Sequence, residues 1–558
     1  MKRNRKTVRL TRLLLTLGLV FALILGGCSG NGGSSQGGDT SAQTGGGASG
    51  GTGGSGGGTG GSSGGSGDGG GTGGSEDDKY GGVLILGITA QSNSLGDPPK
   101  MTLHSEMFTS APAMETLARY DGQGLLQPHL AESWDVDAAN KTITLHLRKG
   151  VKFHDGTDFN AEAVVWNIEK FREAGRAEVS GISTVEAVDD ATVKITLETW
   201  NSSLLEAVTN AMVIVSPSAY EANGADWAAR NPVGTGPFVF VSWDRDSKAV
   251  YKKNENYWQE GKPYLDGVEL HYIADPMTAA AALERGEVHG LITITPDTAQ
   301  QVSGFAEIIM LTSGIGAGAD AIIFNTADTG SPLANVKVRQ AIAHAIDIES
   351  LVKALTYGYN IPTVQWGLPG AWSYNPDLKG FPYDPERAKQ LLAEAGYPDG
   401  FKTKITYITG PANQDKFTAV QSYLGAVGIE VELEPVDNGR FVALRAESNW
   451  GGMLAANFRG DADIGWHMPV VFGNLYGKGL ALPDRVTELF GLIRSAADEK
   501  ERQQYAHEVQ KLIFQDETIA VPFSVGTMPA AVLPRVQDTG INVGNATQWT
   551  PENAWLKK

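Results

Sequence analysis

Forty-seven consecutive residues, Ser29 to Ser75, are almost wholly Gly, Ser, Thr, Asn, Gln and Ala, with Asp39 and Asp68 as their only charges. Such a stretch has no apolar side chains with which to offset the entropy of ordering, so it reads as a flexible tether rather than part of a core. Its r.m.s. span is about 40 Å. The fold is therefore confined to the body of the chain, Tyr80 to Lys558. Those 479 residues exceed the roughly 250–300 that one hydrophobic core usually serves, so two lobes or more are expected. Gly60-Gly61-Ser62-Ser63-Gly64 matches the G-x-S-x-G string of hydrolases, but a Gly/Ser tract produces it by chance and supplies no strand-to-helix elbow.

Ahead of the tether, Lys2, Arg3, Arg5, Lys6, Arg9 and Arg12 precede the apolar run Leu13 to Leu25, the layout of an export signal. The run is shorter than the roughly 17–25 residues that span a bilayer. It ends at Gly26-Gly27-Cys28, and Cys28 is the only cysteine of the chain, so a disulfide within the chain is excluded. This segment resembles the lipobox of bacterial lipoproteins. The resemblance implies a signal peptide over 1–27, lipidation of Cys28 and a lipid-anchored tether over 28–79. The body would be held outside the cytoplasm, touching the membrane through the lipid alone. Loss of the leader takes six cations and no anion, moving the formal net charge from −18 to −24. That balance repels nucleic acid and anionic lipid.

Periodicity organises the body. Val83 to Ile88 reads as a buried strand, and Ile143, Leu145 and Leu147 alternate as a half-buried one. Asn160 can cap a helix with Val164, Val165, Ile168 and Phe171 on one face, ending at Gly175, and Val193, Ile195 and Leu197 form another strand. Two prolines and two glycines in Asn231 to Phe238 exclude helix and central strand. Helices are expected over Val338 to Ile346 and from Asp384-Pro385 to Gly396. Ile405 and Tyr407, then Val420 to Val427, then Ile429, Val431 and Leu433 read as strand, helix, strand, a βαβ crossover with parallel strands.

Several strings of the body resemble the extracytoplasmic solute-binding proteins of ABC importers, family 5, which includes dipeptide-, oligopeptide- and nickel-binding lipoproteins. They are Glu115-Thr116-Leu117, Leu130 to Trp134, Leu147 to Gly156, Asn231 to Phe238, Asn254 to Trp258, Val338 to Ile342 and Tyr383 to Ala388 with Ala395 to Pro398. The resemblance implies a two-lobed α/β periplasmic-binding-protein fold with crossing hinge strands and a ligand cleft. The first lobe would hold 80–325 plus 521–558 and the second 326–520, with Ile322 to Asn325 and Ala520 to Phe523 as crossing segments. It further implies a monomer, not an enzyme, that captures a peptide or other small oligomeric solute and passes it to the permease subunits of an importer. Hinge closure around ligand is a known motion of such proteins. A surface-tethered hydrolase, or a binding module for a sensor or for folding, are the competing readings; outside the tether the sequence shows no nucleophile elbow, metal motif or acid–base pair that favours catalysis.

The motif strings read as scaffold, so solute contacts are expected in loops: Ser94 and Asp97 after the first strand, Gln365 and Trp366 early in the second lobe, and Asn457 to Asp463. Peptide-binding relatives carry in the last region an aspartate, a few residues after a tryptophan, that pairs with the peptide ammonium group. Here Phe458 replaces the tryptophan, Asp461 and Asp463 both fit the aspartate, and Arg459 introduces a guanidinium that favours a carboxylate. Alternatively, Arg459 pairs with one of the two aspartates at the surface. Trp366, Trp372, Trp450 and Trp466 offer flat rings for stacking or for core. No cofactor is expected. The nine histidines form no H-E-x-x-H and no close pair, which leaves a protein-built metal site without support. Gly314 to Gly318 is glycine-rich but leads into a strand where a phosphate-binding loop needs a helix.

Overall fold

The computed structural model describes residues 76–101, 104–310, 318–447, 450–459, 464–541, 549 and 551–558. Cys28, its leader and the tether up to Ser75 lie outside the described residues. Three sheets organise the body. A seven-stranded sheet runs in the order 238–244, 248–253, 267–272, 83–88, 290–292, 530–532, 307–309. A six-stranded sheet runs 361–362, 520–526, 318–324, 453–459, 401–408, 429–436. A four-stranded antiparallel sheet of 131–137, 142–147, 192–197 and 182–189 forms a separate module with its own core.

Local signals explain these elements. Asn160 accepts a hydrogen bond from the Ala163 amide at 3.0 Å and starts helix Ala161–Glu173, whose Val164, Ile168 and Phe171 are buried against the four-stranded sheet. Asp384 caps helix Pro385–Glu394 through the Arg387 amide at 2.9 Å, with proline at the first turn. The expected βαβ unit is present: Phe401–Ile408 and Ile429–Val436 pair in parallel around helix Pro411–Gly425, which buries Phe417, Val420 and Leu424. Apolar side chains cover both faces of the six-stranded sheet. Leu454, Ala456 and Phe458 point to one core, Met453 to the other.

Ile322–Asn325 and Ala520–Phe523 are not connectors. Ile322 pairs with Val521 and Ile323 with Ala520 inside the six-stranded sheet. Six of the seven residues of Gly318–Phe324 are buried, and a run apolar on both faces belongs in the middle of a sheet. The chain instead passes between the two large sheets after Ile309 and before Gly318, and returns between Gly526 and Ala530.

The four-stranded module is rooted on Glu115, which is fully buried. Its carboxylate accepts from Tyr257 Oη at 2.8 Å, Trp258 Nε1 at 3.0 Å, Thr235 Oγ1 at 2.7 Å and His129 Nε2 at 2.8 Å. Arg119 stands 3.6 Å away and also binds Glu552 at 2.7 Å. Burial alone would push the Glu115 carboxyl up, but His129, Arg119 and Thr235 outweigh it and hold the group down to about 2. Burial pushes His129 down, against the pull of Glu115, and its Nε2 faces the carboxylate. Gly234 and Gly236 complete the root. A β-carbon on either would sit 2.2 Å from the Ala113 carbonyl oxygen or 2.6 Å from its carbon, so only glycine lets the two backbones meet. Three of the motif strings, around Glu115, Thr235 and Tyr257-Trp258, thus converge on one buried carboxylate.

Candidate functional site

Strand direction locates the cleft. In the seven-stranded sheet, Val83–Ile88 runs parallel to 267–272 and 290–292, and 307–309 lies antiparallel to 530–532, as 290–292 does. The ends Ile88, Tyr272, Ile292 and Ile309 therefore share one edge with the start of 530–532. In the six-stranded sheet, 401–408 is parallel to 429–436 and 453–459, and Gly318 lies opposite Arg459 and Gly526. Ile408, Val436 and Arg459 thus end on the edge that Gly318 and Gly526 occupy. The chain leaves and re-enters each sheet at these two edges, so they face each other. The four-residue step from Gly526 to Ala530 holds them within roughly 14 Å at the crossing, from about 3.3–3.6 Å per extended residue. Ligands of open α/β sheets bind beyond the carboxyl ends of the strands.

On the six-stranded side, this edge carries a polar triad. Asp320 is the single charge in the strand sequence GADAIIF. Its Oδ2 accepts from Lys416 Nζ at 2.8 Å and its Oδ1 from Asn457 Nδ2 at 3.2 Å. The side chains of Asp320 and Lys416 are 33 % and 14 % exposed, a half-buried ion pair whose desolvation offsets much of its attraction. Lys416 comes from helix Pro411–Gly425, which begins just beyond the end of strand 401–408. Asn457 is exposed and alternates with the buried Phe458 on its strand. On the opposing edge a shallow groove is lined by Gln91, Ser92, Trp243, Arg245, Lys248 and Tyr272. Gln91 donates to Asp246 at 2.8 Å and Arg245 to Asn93 at 2.6 Å.

The expected site residues divide. Asn457 stands on the facing edge with Asp320 and Lys416. Arg459 ends its strand there, and Asp461 and Asp463 lie outside the described residues. Ser94 and Asp97 are turned into packing instead. Asp97 is 2 % exposed; it accepts from Tyr220 Oη at 3.0 Å, pairs with Lys100 at 2.9 Å, and its amide donates to Ser94 Oγ at 3.3 Å. Burial, with Asp97 adding to it, pushes the Tyr220 phenol up to about 12. These contacts pin the loop to the 225–232 turn, where the Leu95 amide reaches the Ala229 carbonyl. Gln365 is fully buried and exchanges both amide groups with the Asn375 backbone, at 2.9 and 2.8 Å. Trp366 stacks on Phe458 with centroids 4.7 Å apart, inside the second core. These four side chains therefore hold loops and core in place. Trp450 is likewise core, whereas Trp372 and Trp466 lie under Arg502 and Arg494.

Asp320 and Lys416 are not among the residues expected from the sequence. The signal for Asp320 was present, a lone carboxylate in an apolar strand after a glycine-rich segment. Lys416 carries no such mark, being one cation among several on a helix.

Comparison with known proteins gives the family and the fold. Residues 126–478 match the family described as bacterial extracellular solute-binding proteins, family 5 middle. The chain is 34 % identical over 324 residues to the glutathione-binding protein GsiB of Pectobacterium atrosepticum, covering 56 % of this chain and 62 % of that protein. It is also 34 % identical over 308 residues to heme-binding protein A of Haemophilus influenzae, covering 50 % and 55 %. The aligned parts thus span less than two thirds of either relative. Among solved structures, the periplasmic binding protein DppA of Helicobacter pylori, in complex with the peptide STSA, superposes with a TM-score of 0.65 at 26 % identity, over 87 % of this chain and 99 % of that one. The fold is the mixed α/β periplasmic-binding-protein fold, and the family binds solutes without transforming them. On the extent of the family match, the chain belongs to the bacterial extracellular solute-binding proteins, family 5.

Proposed function

We propose that this protein is the receptor of an ABC importer and captures a small peptide-like solute between the two facing sheet edges. The observation that carries the reading is the pair of opposed carboxyl-terminal strand edges, joined by two crossings and lined by Asp320, Lys416 and Asn457. Lys416 suits a solute carboxylate and Asp320 an ammonium group. In sequence, Phe458 is followed by a further cation, Arg459, and by two further anions, Asp461 and Asp463, which this reading also assigns to the solute. The relatives named for glutathione and crystallised with a peptide bind molecules carrying both charges. The lobes in this reading are 80–309 with 530–558, and 318–526. The first carries the four-stranded module.

The leader over 1–27 and lipidation at Cys28 would keep the body on the outer face of the membrane, with the tether giving it reach toward a permease. Cys28→Ala should release the protein from the membrane fraction while leaving solute binding unchanged; retention of the variant would remove the lipid anchor from this reading. The function itself is tested by native mass spectrometry of the full chain purified from its own membranes. A small solute bearing carboxylate and amine, bound one to one and unaltered on incubation, is expected. Chemical turnover of the bound solute would overturn the receptor reading.

A further inference from the structure

The four-stranded module touches more than the sheet that roots it. Its loop Trp200–Ser202 meets the carboxyl end of helix Asp484–Ser495, which belongs to the lobe of the six-stranded sheet. The Ser202 amide donates to the Arg494 carbonyl at 2.8 Å, Ser202 Oγ to Ile493 at 3.0 Å and Trp200 Nε1 to Ala496 at 2.9 Å. These are the carbonyls a helix end leaves without intrahelical partners, so the module caps the other lobe's helix. Beside them Arg502, on the next helix Glu499–Lys511, pairs with Glu206 of the module at 2.9 Å. Both side chains are nearly enclosed, at 10 % and 12 % exposure, and the Arg502 guanidinium lies 4.5 Å from the centre of the Trp372 ring.

Position gives this contact its meaning. The module is rooted where strand 238–244 begins and 248–253 ends, on one edge of the seven-stranded sheet, where the Asn254 amide also reaches the Pro237 carbonyl at 2.9 Å. The crossing segments join strands 530–532 and 307–309 on the opposite edge. The two lobes are therefore linked at both ends of the facing edges. Swinging them apart about the crossings moves the module contact most, because displacement grows with distance from the axis.

We infer that the module is a strap that latches the lobes together, with Glu206–Arg502 and the Trp200–Ser202 caps as its catch, and that opening the cleft requires the catch to part. The inference rests on the two-lobed reading but not on the identity of the solute, and solute binding does not enter its test. In the full chain carrying Cys28→Ser, spin labels at Val188→Cys on the module and Lys500→Cys on the second lobe report the distance across the catch by electron–electron resonance. The unaltered catch should give one narrow distance distribution. Glu206→Gln and Ser202→Ala should each add a longer, open population, and the two together should make it dominant, with the thermal midpoint of the body little changed. Arg502→Met serves as the stronger variant, checked for folding by the same midpoint. A narrow, unshifted distribution in the folded double variant would overturn the latch, as would a broad one in the chain with the catch intact. Neither result bears on whether the protein captures a solute, which the mass-spectrometric experiment decides separately.

Discussion

Two carboxylates of this molecule sit in strands and carry cationic or donor partners, yet they do opposite work. Glu115 is sealed in the root of the module, with His129, Thr235, Tyr257, Trp258 and Arg119 around it. Asp320 stands at the strand edge with one lysine and one asparagine, a third of its side chain open to water. The first is surrounded by the strings that mark the family; the second sits in a strand that none of those strings includes. A carboxylate whose every oxygen is partnered by the fold has nothing left for a solute. Recognition is found where partners are few and water can be displaced.

The largest effect is expected at Glu115. Replacing it by Ala leaves the buried donors of Tyr257, Trp258 and Thr235 without their acceptor, His129 without its partner and Arg119 with Glu552 alone, so a loss of about 3–5 kcal/mol of stability is expected. Chemical denaturation of the full chain checks this. A change under about 1 kcal/mol would mean that the carboxylate is not what holds the root together.

The same site predicts how the protein meets acid. The folded Glu115 lies at about 2, below its ordinary 4.5. A carboxyl depressed by folding contributes stability that is fully present above its ordinary value and is lost as the pH falls through its folded value. Thermal midpoints should therefore decline between pH 4.5 and about 2. In Glu115→Gln they should start lower at neutral pH and decline less over that window. Equal slopes in both proteins would show that other carboxylates govern the acid limb.

Much of the fold was legible because periodicity survives in single elements. Val83–Ile88, Thr142–Leu147 and the βαβ unit from Phe401 to Val436 can be read directly from their apolar spacing. The crossings were misplaced because the apolar run of Gly318–Phe324 reads equally as a link between lobes and as a central strand; only its pairing with 453–459 and 520–526 separates the two. The site was harder. Gln365 and Asp97 are polar residues in loops, which is what a solute contact looks like in sequence. Their partners, Asn375 and Gln510 around the first and Tyr220 and Lys100 around the second, satisfy them only after the chain has folded. Asp320 was readable by the opposite logic, since a lone charge in a buried strand has to be explained by something near it.

At Lys416 and Asp320, stability and binding should separate. Desolvation offsets much of the pair's attraction and Asp320 keeps a third of its side chain in water, so Lys416→Met, which keeps the length and apolar body of the side chain, should cost about 1–2 kcal/mol of folding stability. If Lys416 meets a solute carboxylate, the same substitution removes one partner of a charge pair that solute binding desolvates, a loss of about 2–5 kcal/mol in affinity. Titration calorimetry with the solute recovered from the native protein measures the second quantity and denaturation the first. Asn457→Ala should act in the same direction with a smaller effect, because it removes one neutral hydrogen bond to Asp320 at 3.2 Å. A Lys416→Met protein that binds the solute unchanged would return this ion pair to the class of Glu115, a contact that serves the fold alone. It would then move the recognising charges to the strand end beyond Phe458.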